Sequence, residues 1–154
     1  MPNGTPHWEK KLPKVEKFFG KISKVLQDFA NDHNLLIGKY YRQWPAWTFI
    51  FRNHKGGSGK IEVEKAGSRS VIVRPSWYIV NFENSTWFVR EPKGVKCSLS
   101  HDALLRVLED TFQQIISWEK DDLKAVKSKH YNGGKKYIKE EYEEQLNKYP
   151  VPRL

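Results

Sequence analysis

Apolar residues repeat with a helical period from Pro13 to His33, with period two from Leu35 to Arg90, and with a helical period again from Ser100. A stripe spaced at 3.6 residues cannot present one face as a strand, and an alternating pattern cannot do so as a helix. The chain is therefore committed to the order helix, strands, helix before any single residue is considered. In the first segment Val15, Phe18, Phe19, Ile22, Val25, Leu26 and Phe29 form the stripe, with Lys14, Lys17, Lys21 and Lys24 opposite. Pro13 suits a first helical turn, and Asn31 to Asn34 supply the stop.

The middle segment reads as five strands: Leu35 to Tyr41, Trp47 to Arg52, Lys60 to Lys65, Ser70 to Phe82 and Thr86 to Arg90. Short, turn-forming separators between them predict an antiparallel meander. Pro75 falls inside the fourth strand and is expected at a bulge or an edge, where a missing N–H is tolerated. Ser100 is a good N-cap for a second long helix, with Leu104, Leu105, Val107, Leu108, Phe112, Ile115 and Ile116 as its stripe. After the breaker Asn132-Gly133-Gly134, Lys135 to Tyr149 predicts a shorter third helix.

The fold class that satisfies this order is an α+β two-layer sandwich. A five-stranded antiparallel meander carries the N-terminal and C-terminal helices on one face, with Phe19, Leu26, Leu105, Leu108 and Phe112 expected in its core. A length of 154 residues suits one such domain. The expected division is an extended or disordered arm over 1–12, the α+β domain over 13–123 and a basic extension over 124–154. One cysteine excludes an intrachain disulfide framework and any multi-cysteine zinc module. No apolar run approaches the ~20 residues of a membrane span, so no integral membrane association is expected. The polar N-terminus has no apolar signal core, and a cytoplasmic location is the expectation.

The element order resembles the frataxin-like arrangement, in which two helices flank a meander. Frataxins present acidic residues on the first helix and first strand, where this chain carries Lys14, Lys17, Lys21, Lys24 and Lys39. The resemblance is one of architecture and implies no iron chemistry here.

Charge is the strongest pointer to a partner. The net charge is +9, with seven basic and two acidic residues over 35–69 but two basic and six acidic over 100–123. A field of this sign attracts polyanions. Aromatic residues make up 14% of the chain and include six tryptophans, more than one small core can hide.

Three motifs invite enzymatic readings. His54-Lys55-Gly56-Gly57-Ser58-Gly59-Lys60 approaches a phosphate-binding loop, but His54 stands at the first glycine position and Ile61 at the hydroxyl position, and a strand follows. A hairpin loop is the expectation, with free N–H groups of a basic glycine-rich loop the residual route to phosphate. Cys97 and His101, four residues apart at a helix start, offer a nucleophile–base pair or at most two metal ligands. Glu62 and Glu64 sit about 6–7 Å apart on one strand face, but Ile61 and Val63 alternate with them and Lys60 shares their face. With no assembled base, nucleophile and orienting group, the reading leans away from an enzyme, and no cofactor or metal is expected.

Two basic, aromatic surfaces remain. One is a groove lined by Lys39, Arg42, Arg52, Lys55 and Lys60 and floored by Tyr40 and Trp44; the other is the lysine-rich stretch with Lys129, Lys135 and Lys136. Rings interleaved with cations suit single-stranded nucleic acid, because bases stack on rings while cations meet phosphates. The expected function is thus a non-enzymatic binding module for an acidic partner, nucleic acid first. An inhibitor, immunity or adaptor protein that engages an acidic protein is the alternative, and a small-ligand domain with an aromatic pocket the third. A dimer is compatible with the sequence.

Overall fold

A computed structural model describes residues 7–53, 57–81, 86–120, 128–129, 138–148, 151–152 and 154. Lys55, Lys135 and Lys136 lie outside the described residues. The elements are α1 (His7–Gly20), α2 (Ser23–Asp32), β1 (Leu36–Tyr40), β2 (Ala46–Arg52), β3 (Ser58–Lys65), β4 (Ser70–Asn81), β5 (Thr86–Arg90), β6 (Val95–Ser98), α3 (His101–Lys120), β7 (Ser128–Lys129) and α4 (Lys139–Lys148). The fold is α+β, as the periodicity dictates.

The sheet runs β1-β2-β3-β4-β5-β7 with every pair antiparallel, and β6 adds to β4 off this path. The strand β4 is long enough to hold two partners along one edge, β6 opposite 70–73 and β5 opposite 77–81. Pro75 pairs with Ile61 of β3 and falls in the gap between those two partners. That gap is where a residue without an N–H costs least. The two short strands β6 and β7 are additions to the expected meander. Neither has enough length to show a period of two, and only the free edges of β4 and β5 make strands of them.

One face of the sheet carries the core. Trp47, Phe49, Phe51, Ile61, Val63, Val71, Val73, Trp77 and Ile79 alternate onto it and are buried against Phe18, Phe19, Ile22, Leu26 and Phe29 of the N-terminal helices and Leu104, Leu108 and Ile115 of α3. The expected core residues Phe19, Leu26, Leu108 and Phe112 are buried, while Leu105 is half-buried at the helix margin. The buried indole of Trp77 donates to Glu119 Oε1 at 2.6 Å, so its N–H is satisfied from α3. Helices α2 and α3 are tied by His33, whose Nε2 lies 2.9 Å from both Glu109 oxygens and whose ring packs on Phe112 at 4.0 Å.

The N-terminal helix differs from its sequence reading in two ways. It starts at His7, so residues 7–12, expected in an arm, are helical. Pro13 then sits inside the helix, where it cannot donate to the Glu9 carbonyl; both residues are exposed, so water can take that bond. The stripe from Val15 to Phe29 is also split into two helices. Gly20 weakens the helix there, and Lys21 and Ile22 donate instead to Phe18 and Phe19, three residues back. Asn34 ends α2 in the left-handed conformation, φ 53°. Its N–H donates to Asn31 and that of Leu35 to Ala30, which is the Schellman pattern.

Candidate functional site

In a meander, alternate turns share an end of the sheet. The β1–β2 turn (41–45) and the β3–β4 turn (66–69) therefore lie together, and the Lys65 N–H donates to the Pro45 carbonyl at 3.0 Å. Three aromatic side chains brace this end: the Trp47 indole donates to Tyr41 Oη at 2.8 Å, and Phe19 stacks on both rings. Lys39 Nζ caps Trp47 at 4.4 Å from the ring centre, and Lys65 Nζ lies 5.1 Å from the centre of Phe18. On this braced base the turn displays Trp44, 66% exposed, with Tyr40, 49% exposed, on the adjoining strand. Arg42 and Arg69 are exposed on the two turns. The end thus carries Lys39, Arg42, Lys65 and Arg69 together with the exposed Trp44 indole. Glu64 at the same end is bonded to Arg74, and Asp102 at the start of α3 to His101.

Lys65 and Arg69 were not among the residues singled out from sequence. The signal was present nonetheless: once five strands are counted as a meander, the first and third turns must be neighbours.

The groove expected from sequence does not form as one surface. Tyr40 pairs with Ala46 and Arg52 lies six residues further along β2, a separation of about 20 Å along the strand. Arg52 is also only 9% exposed. Its N–H donates to the Pro152 carbonyl at 2.7 Å, its carbonyl accepts from the Leu154 N–H at 2.9 Å, and its Nη1 donates to Asn147 at 3.2 Å. Arg52 anchors the C-terminal residues, and a phosphate cannot reach it without displacing them. Lys60 is bonded to Glu62 at 3.2 Å, in a row that continues through Arg74 to Glu64. Its charge is met on the strand surface. Lys129 pairs with Trp87 at the far edge of the sheet, five strand spacings from β1 or about 24 Å.

The glycine-rich loop has a structural explanation. Gly57 N–H donates to Asn53 Oδ1 at 2.9 Å, and Asn53, fully buried, donates from Nδ2 to the Tyr78 carbonyl at 3.1 Å. The Gly57 amide is therefore not free for phosphate. A Cβ at Gly57 or Gly59 would strike the β4 backbone, at Tyr78 and Ser76 respectively. These glycines let β3 approach β4.

The Cys97–His101 pair does not assemble. His101 Nδ1 is 3.1 Å from Asp102, and burial pushes the Cys97 thiol up, away from the thiolate a nucleophile needs. Among the described residues no group of three or more His, Cys, Asp or Glu side chains could hold a metal ion, and no helix is long and apolar enough to cross a membrane. No family model, curated protein or solved structure matches the chain. The frataxin-like resemblance accordingly remains one of element order.

Proposed function

We propose that the chain is a binding module that grips an acidic partner, single-stranded nucleic acid, with the end of the sheet formed by the β1–β2 and β3–β4 turns. The observation that carries this reading is the exposed Trp44 ring at the end of the sheet that also carries Lys39, Arg42, Lys65 and Arg69. The indole offers a stacking platform indifferent to base identity, and the cations at the same end supply charge for the backbone. Phe19, Tyr41 and Trp47 pack on one another at the base of the turn that carries Trp44.

The test is fluorescence anisotropy of a labelled homopyrimidine oligonucleotide at several salt concentrations. Trp44→Ala should weaken binding by about 1–3 kcal/mol and leave the salt slope unchanged. Neutralising Arg42 and Arg69 together should flatten the slope by about 0.7 for each phosphate that the protein no longer neutralises. Lys60→Gln, at a site already paired with Glu62, should do little. Absence of binding at low salt would overturn the reading, as would a Lys60→Gln effect equal to that of the turn arginines. An acidic protein that binds the same end would take its place.

A further inference from the structure

We infer that β1 is a self-association edge, through which two copies of the chain pair antiparallel about Gly38 to make one continuous sheet. No strand among the described residues pairs with the outer edge of β1. This edge nonetheless leaves Leu36 44% and Tyr40 49% exposed on the same side of the strand, with only Gly38 between them. Edge strands are usually blunted by proline, bulges or inward-pointing charge; the five residues of β1 contain no proline, pair one to one with β2 without a bulge, and carry one inward charge, Lys39, which is drawn onto the Trp47 ring.

The register follows from the backbone. Asn53 donates to Gly57 on the β3 side of β2, whereas Arg52 bonds the C-terminal residues on the other side. By alternation the N–H and C=O groups of Ile50, Thr48 and Ala46 face β1, where they meet Leu36, Gly38 and Tyr40. The groups of Ile37 and Lys39 therefore point to the outer edge. A two-fold axis at Gly38 sets Ile37 of each copy opposite Lys39 of the other as a hydrogen-bonded pair. Leu36 then lies across from Tyr40 of the second copy, twice, in the closer non-bonded positions.

The neighbouring registers are worse. Moving the axis one residue towards the C-terminus sets Lys39 against Lys39. Moving it one residue the other way requires the Leu35 N–H, which is committed to Ala30. Charge agrees with the chosen register. It brings the turn that follows Tyr40 towards the C-terminal end of α2 in the second copy, where Asp32 is exposed and the helix dipole is negative.

The test is sedimentation equilibrium of the full chain, free of nucleic acid, with two double variants that remove the same apolar groups. L36K/Y40K sets like charges opposite each other twice; L36K/Y40E sets opposite charges there. The unaltered chain should dimerise, L36K/Y40K should dimerise at least tenfold more weakly, and L36K/Y40E should dimerise several-fold more tightly than L36K/Y40K. Lys39→Pro, which removes an outward-facing N–H, should give a monomer, whereas Lys39→Gln should still pair. An unaltered chain that stays monomeric overturns the inference. So does a dimer in which L36K/Y40K and L36K/Y40E behave alike.

Discussion

Gly59→Ala adds one methyl group to the inner face of β3, between Phe51 and Trp77 in the sheet register. The new Cβ would fall against the Ser76 carbonyl and within 2.5 and 2.8 Å of Phe51 Cζ and Cε2. Ordinary contact needs roughly another ångström. Phe51 is fully buried in the core on β2 and the Ser76 oxygen is β4 backbone, so neither can move aside without disturbing the core or the β3–β4 pairing. Overpacking of this kind costs about 1–3 kcal/mol, and the backbone clash argues for the upper half of that range. Gly20→Ala is the matched control. The same methyl meets nothing within 4 Å at the end of α1 and should stabilise by about 0.4–1 kcal/mol, by limiting the unfolded chain and favouring the helix. Urea titration followed by far-ultraviolet circular dichroism reads both. With a slope of about 2 kcal/mol per molar, Gly59→Ala should lower the midpoint by about 1–1.5 M and Gly20→Ala should raise it slightly. A Gly59→Ala midpoint equal to that of the unaltered chain would refute the packing account of this loop and reopen a ligand-binding role for its glycines.

Leu108→Ala, at a fully buried position of α3, should cost about 2–5 kcal/mol in the same titration. Cys97 should react with iodoacetamide more slowly than a free thiol near pH 8 and should accelerate as pH rises, because burial favours the neutral thiol over the thiolate. Fast alkylation at neutral pH would contradict that environment.

Element type was legible wherever a segment was long enough to show its period. The stripe from Val15 to Phe29 and that from Leu104 to Ile116 could only be helical, and Lys60 to Lys65 could only be a strand with Ile61 and Val63 inward. Burying those patterns against one another leaves a two-layer α+β sandwich as the compact solution. Residue type also placed cations and rings together on the segment from Lys39 to Trp47. What sequence could not supply was which charges share a surface, because that depends on strand direction and register. Arg52 and Lys60 look equivalent to Arg42 as letters. Arg52 is spent on Asn147 and the C-terminal backbone, and Lys60 on Glu62, while the β3–β4 turn brings Lys65 and Arg69 to the end of the sheet that carries Trp44. The edge of β1 that no described strand pairs with is likewise a tertiary outcome: five residues acquire a bonded side and an outer side only after β2 has taken one of them, since a strand has two edges and the local sequence does not say which will be used.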